Sequence, residues 1–206
     1  MKRITLFALC VCILLSTLVY LSAAAQEYEA KPTYILNFGD KEVGKQLKGV
    51  AKMTYEVKEG EYTTFTATEN DPAMELPTPD IKVADAAYLV IEYRTTAKVM
   101  GEIYIARNDG VSFSQDAASH LEWNWTPDGE WHKLIVHCEG WADVQDAVFT
   151  QLRLDPLHMH QGIKAGDAIE LRYFAFFDSE EKAQAFERFK IERIKELEDE
   201  QYYAQQ

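Results

Sequence analysis

Between Thr33 and Phe177 the apolar residues recur with a period of two or in short unbroken runs, and turn-forming residues interrupt them about every ten positions, the spacing of a β-sandwich or barrel. The pattern predicts strands over residues 34–38, 48–57, 62–68, 88–95, 101–107, 121–125, 131–138, 148–154 and 168–177. In the 88–95 strand, alternation separates Tyr88, Val90 and Glu92 from Leu89, Ile91 and Tyr93, and the second set is the better core face. The run LEWNWTPDGEWHKLIV, residues 121–136, reads as two aromatic-rich extended segments joined by a turn, a strand pair. Pro127 presets the φ that the turn needs, and Gly129 tolerates the positive φ that follows. Residues 70–83 contain Pro72, Pro77 and Pro79, each without a ladder donor, so this stretch is expected to be a surface connection and no central strand.

After Phe177 the pattern changes to a helical one. Asp178 stands where a carboxylate caps free amides, and Glu181 closes a capping box three residues on. Ala183, Phe186, Phe189, Ile194 and Leu197 fall on one broad side of the helix, in a stripe too irregular for a coiled coil. Its first turns are expected to pack on the sandwich through Phe186 and Phe189, with residues 196–206 fraying into a polar tail. The alternative is that this helix docks a protein partner.

The amino terminus bears on the compartment. Lys2 and Arg3 precede an apolar stretch over residues 4–21 that ends in Ser22-Ala23-Ala24-Ala25, a secretory signal with a cleavage site after Ala25. The stretch is close to the length of a spanning helix, which leaves an uncleaved N-terminal membrane anchor as the alternative. Cys10 and Cys12 lie inside it with no lipobox ending on either. The chain thus divides into a signal peptide, 1–25, a β-sandwich, 26–178, and a C-terminal amphipathic helix and tail, 179–206. Loss of residues 1–25 removes two basic groups and no acidic one, which takes the formal net charge from −13 to −15. Nucleic acid and anionic membrane surfaces are therefore disfavoured partners. Cys138 is left as the single cysteine, in the alternation Leu134, Val136, Cys138, and is expected to be a buried, inert thiol.

Several phrases line up along this frame: Asn70-Asp71-Pro72 after a Thr-rich strand, residues 127–132 (PDGEWH) at a turn, Leu152-Arg153-Leu154-Asp155-Pro156 before a Gly-Asp turn, and residues 169–177 (IELRYFAFF). In their order and spacing they resemble the galactose-binding-like, carbohydrate-binding jelly-roll domains of secreted bacterial proteins. The resemblance covers about residues 34–177. It implies an all-β fold, an antiparallel jelly-roll β-sandwich, here followed by a C-terminal α-helix. It also implies, in many relatives, a sugar site on loops or on a concave sheet face, although similar modules serve as spacers, adhesins and protein-binding parts. A structural calcium near the first and last strands is the one cofactor it suggests, and Asp40, Glu42 and Asp178 are the oxygen donors that flank those strands here.

A carbohydrate platform needs flat exposed rings ringed by groups that bind hydroxyls. Trp123 and Trp125, two residues apart, share one face of a strand and are either core or platform. With Tyr104 they are the candidate rings, and Arg107, Asn108, Asp109 and Asn124 are the candidate polar partners. Trp131 and Trp141 are assigned to the core. Asp71 and Asp155 each precede a proline, where an Asx turn is expected. His158-Met159-His160 pairs two imidazoles on one face of an extended segment, but a metal would need a third ligand such as Asp155 or Asp167. No Gly-x-Ser-x-Gly elbow, phosphate loop or His-Glu-x-x-His helix occurs. The sequence points to a secreted, non-catalytic binding module for carbohydrate or another extracellular ligand. Its rival is an interaction scaffold working through the C-terminal helix.

Overall fold

A computed structural model describes residues 30–158 and 162–186. Eleven strands run in chain order: β1 Tyr34–Asn37, β2 Lys48–Ala51, β3 Met53–Lys58, β4 Tyr62–Ala67, β5 Ala73–Leu76, β6 Tyr88–Thr95, β7 Met100–Arg107, β8 His120–Asn124, β9 His132–His137, β10 Phe149–His158 and β11 Ala168–Phe177. Two short helices, α1 Lys41–Gln46 and α2 Glu180–Ala185, and a 3-10 turn at Val83–Ala86 complete the described elements.

The strands form two antiparallel sheets. The first has the order β3-β4-β11-β6-β9, with β1 pairing β11 beside Tyr173–Phe176 while β4 pairs it beside Ala168–Leu171. The second has the order β2-β5-β10-β7-β8. From β4 onward the chain changes sheet at every connection except β7 to β8, β8 to β9 included, and the two four-strand sets β4-β11-β6-β9 and β5-β10-β7-β8 are those of a jelly roll. The all-β, antiparallel jelly-roll expectation holds.

Three local readings are corrected. The run 121–136 is not a strand pair: β8 lies in the second sheet and β9 in the first, and the turn at residues 126–129 carries the chain from one to the other. Gly129 has the positive φ expected of it, +80°, and its amide donates to Thr95 O at 2.9 Å. The predicted strand 48–57 breaks at Lys52, whose φ of 58° turns the chain so that β2 joins the second sheet and β3 the first. Finally, β5 lies inside the proline-marked stretch and sits between β2 and β10. Its four residues run between Pro72 and Pro77, so no ladder donor is missing from them.

Both inner faces close on one core. Leu89, Ile91, Tyr93, Leu171, Phe174 and Phe176 enter from the first sheet, and Met74, Ile103, Ile105, Leu152 and Leu154 from the second. Trp141 lies within this core, edge-on to Phe149 and Phe176, as assigned from sequence. Cys138 is fully buried, and burial pushes its thiol far above the ordinary range, which makes it inert.

A second, smaller cluster lies on the outside of the first sheet, where Ala183 and Phe186 cover Ile35, Val90, Tyr173, Ala175 and Phe177. Phe186 meets Tyr173 and Phe177 at ring separations of 5.3 and 5.0 Å. The helix cap is Ser179, whose Oγ accepts from Lys182 N, while Asp178 instead pairs with Lys182 Nζ at 2.8 Å. Lys133 Nζ donates to the carbonyls of Gln184 and Phe186, both at 2.9 Å, closing the helix at its other end. The start of this helix is thus spent on its own domain. Phe189, Ile194, Leu197 and the polar tail lie outside the described residues, as do the signal segment and its anchor alternative. Among the described residues no helix is long and apolar enough to cross a membrane.

Candidate functional site on the outer face of the second sheet

Strand registry assembles the site. Across β10, β7 and β8 three rows of side chains lie on the outward face: His158, Met100 and Asn124; Asp155, Glu102 and Glu122; Arg153, Tyr104 and His120. The alternation that turns Leu152, Leu154, Ile103, Ile105 and Trp123 into the core turns these polar residues outward. Glu75 of β5 extends the last row beside Arg153.

The rows interlock. Arg153 donates from Nε and Nη2 to the two oxygens of Asp155, at 2.7 and 2.6 Å, in bidentate geometry. Its guanidinium lies 5.2 Å from the Tyr104 ring centre, and the His120 ring stacks on the same tyrosine at 4.6 Å. The Tyr104 hydroxyl donates to Glu102 Oε2 at 2.9 Å and accepts from Gln115 Nε2 at 2.5 Å. Gln115 belongs to the loop 111–119, which also brings Phe113 edge-on to Tyr104. The Nε2 atoms of His158 and His120 lie 3.0 and 3.6 Å from Glu102 Oε1.

The charged groups are withdrawn from water: the side chains of Glu102 and Asp155 are 3% and 2% exposed. Desolvation raises the Asp155 carboxyl above the ordinary carboxylate value, against the pull of Arg153. Desolvation, helped by the hydrogen bond to Glu102, pushes the Tyr104 phenol up to about 12. Around this floor the rim residues Gln115, Glu122, Asn124 and Gln151 are exposed.

The residues selected from sequence divide between places. Tyr104 and Asn124 lie on the outward face. Trp123 and Trp125 do not join them: they are 7% and 4% exposed, stand edge-to-face in the core, and Trp125 packs on Tyr93 of the opposite sheet. Of the two readings left open, platform or core, the structure selects core, because the inward register of β8 is fixed by the aromatic pair itself. Gly101 makes room for it, since a Cβ there would lie 2.4 Å from Trp123 Nε1. Arg107 is buried and binds Asp109, with contacts of 3.1 and 2.9 Å, in the turn after β7. The Asn108 side chain accepts from Val148 N at 3.0 Å in that same turn. These three serve the turn and do not reach Tyr104's partners. Trp131, assigned to the core, is only half-buried and stacks under Arg172 and Arg94, at 3.7 and 4.9 Å, beside Tyr62.

The acidic trio suggested for calcium is split by register. Asp40 caps α1 by accepting from Glu42 N at 2.8 Å, and Glu42 pairs with Lys45. With Asn37 opposite Tyr173 and Tyr34 opposite Phe176, Asp178 emerges at the other end of β1 from Asp40. The intervening strand of four residues spans about 13 Å. One ion cannot be shared by all three. Asp155, expected in an Asx turn, is instead a strand residue on the site floor; Asp71 has a left-handed φ of 62° before Pro72 and pairs with Lys52. Met159 and His160 lie outside the described residues.

Sequence reasoning missed Glu102, His120, Glu122 and the Arg153–Asp155 pair. A signal existed in the i, i+2 spacings Glu102/Tyr104, His120/Glu122 and Arg153/Asp155, each of which shares a strand face.

No family model matches the chain, and no curated protein matches it. Among solved structures it is similar to the xylan-binding module CBM86 from the gut symbiont Roseburia intestinalis, at 11% identity over 69% of this chain and 92% of that one, with a TM-score of 0.46. It is similar to CsCBM6-3 from Clostridium stercorarium, solved with cellobiose, at 9% identity over 71% of this chain and 94% of that one, TM-score 0.41. A third similarity is to the Spr0440 glycoside hydrolase domain, Endo-D, from Streptococcus pneumoniae, at 12% identity, 65% of this chain and a TM-score of 0.47. The chain spans 21% of that protein's length.

Proposed function

We propose that this protein is an exported, non-catalytic carbohydrate-binding module that takes its ligand on the outer face of the second sheet. The observation that carries the reading is the three-row polar face, in which acceptors and donors are held in fixed positions by Arg153, Tyr104 and Gln115 and surrounded by exposed amides. A neutral polyhydroxyl ligand is the chemistry that fits. Its hydroxyls pair with carboxylates and amides in both directions, and its C–H faces lie against the half-exposed ring of Phe113. The net charge of −13 weighs against polyanionic ligands. Non-catalytic action is supported by the state of the two buried carboxylates: Asp155 is held by Arg153, and Glu102 by Tyr104 and His158, which leaves neither placed to attack a substrate or relay a proton. Export is supported by Lys2, Arg3, the apolar run and Ala23-Ala24-Ala25.

Electrophoresis through gels containing neutral polysaccharides tests this. The wild-type protein is expected to be retarded. A triple variant at the exposed rim, Gln115→Ala, Asn124→Ala and Gln151→Ala, is expected to run free, with Tm lowered only by the loss of the Gln115–Tyr104 hydrogen bond. Retardation that survives the triple variant, or that no neutral polysaccharide produces in the wild type, overturns the proposal.

A further inference from the structure

We infer that Glu102, His120 and Glu122 form a binding site for a borderline divalent cation of the zinc class. The inference stands apart from the carbohydrate reading, and metal binding is measured without any polysaccharide.

The site begins with an electrostatic problem. Asp155, Glu102 and Glu122 stand directly opposite one another on three adjacent strands, a row of three carboxylates. Like charges in register repel, and Glu102 at the centre is buried. Arg153 answers Asp155 alone. On the other side, Glu102, His120 and Glu122 each offer one ligand atom, and these atoms lie within 4.8 Å of one another.

The geometry around Glu102 Oε1 matches a metal centre. A tetrahedral zinc with bonds of about 2.0–2.1 Å places its ligand atoms about 3.3 Å apart. The Nε2 atom of His120 lies 3.6 Å from that oxygen, close to this separation. His120 supplies an independent sign. Its side chain is 10% exposed, and its buried Nε2 has no hydrogen-bond partner while pointing at the carboxylate. A buried ring nitrogen without a partner is costly unless something else takes its lone pair.

The donor set selects the ion class. An imidazole with two carboxylates suits zinc and its neighbours, whereas calcium and magnesium favour oxygen-only shells. Orientation is also provided: Tyr104 fixes Glu102 through Oε2, leaving Oε1 to face His120, and it stacks on His120. Exposed Glu122 stands at the rim, its ligand atom within the same 4.8 Å.

Calorimetric titration of ZnCl2 into chelator-stripped protein, with Co2+ absorption as a second readout, tests the site. One ion per chain is expected, unaffected by excess Ca2+. Glu122→Gln, a change at an exposed position that leaves the fold intact, is expected to weaken binding at least about tenfold, and Tyr104→Phe about tenfold through loss of orientation. His120→Ala is expected to abolish the imidazole signature in the Co2+ spectrum. His132→Ala, which removes a surface imidazole paired with Asp128, should change nothing. Absence of stoichiometric Zn2+ uptake by the wild type, uptake that survives Glu122→Gln unweakened, or displacement of Zn2+ by Ca2+ would each overturn the inference.

Discussion

The two outer faces of the sandwich withdraw from water by opposite means. On the first sheet, Val90, Tyr173, Ala175 and Phe177 are apolar and lie beneath α2, so burial there contributes on the order of 25 cal/mol per Å2 of apolar area. On the second sheet the withdrawn groups are Glu102, Asp155 and Tyr104, whose desolvation costs free energy that Arg153, the histidines and Gln115 offset in part. The first face has a reason in stability. The second has little, and a buried ionic network maintained without that benefit marks the face on which recognition is to be sought.

The contrast can be broken most strongly at Phe186. Phe186→Ala removes the ring that meets Tyr173 and Phe177, and is expected to destabilise the fold by about 3 kcal/mol, read as a lower midpoint in urea. Retardation by polysaccharide of the molecules that remain folded should be unaffected. A loss of binding without a loss of stability would show that the two faces are coupled.

Arg153→Ala probes the other face. It leaves Asp155 buried without its guanidinium, at a cost of about 2 kcal/mol at neutral pH once the partial exposure of Arg153 is allowed for. The Asp155 carboxyl is already raised in the fold and rises further without Arg153, so on acidification the folded state takes up its proton before the unfolded chain does. The deficit is therefore expected to shrink as pH falls through the folded-state value of Asp155. A pH-independent deficit would place the cost elsewhere.

The smallest effect is expected at Tyr104. Its phenol titrates at about 12 in the fold against an ordinary 10.0, so its contribution is complete below pH 10.0 and is lost as pH rises from there to about 12, because the unfolded chain ionises first. Tyr104→Phe should flatten this alkaline limb in urea titrations. An unchanged limb would show that the phenol is not withdrawn from water in the fold.

Most of the strands were legible, since alternation alone marks a half-buried strand: residues 88–95 and 168–177 match β6 and β11 at both ends. Alternation does not say which strands are neighbours, and the site depends on neighbours. Glu102, Asp155 and Glu122 come from three strands whose registry is set by core packing between distant segments, so each reads in sequence as an ordinary solvated acid. The two tryptophans show the same limit in reverse. Their shared face was visible, but its direction is decided by Tyr93 on the other sheet and by the space at Gly101. The split at Lys52 was hidden because a left-handed lysine carries no compositional mark.

β11 holds β1, β4 and β6 together, yet it follows every other described strand in the chain. Thr33 and Phe176, joined by a hydrogen bond, are 143 residues apart in sequence. Half of the sandwich therefore cannot assemble until its last strand has been synthesised, and such non-local topologies fold slowly, over milliseconds to seconds. A polypeptide that stays open while it is being made remains threadable, the state that the export proposed above would require.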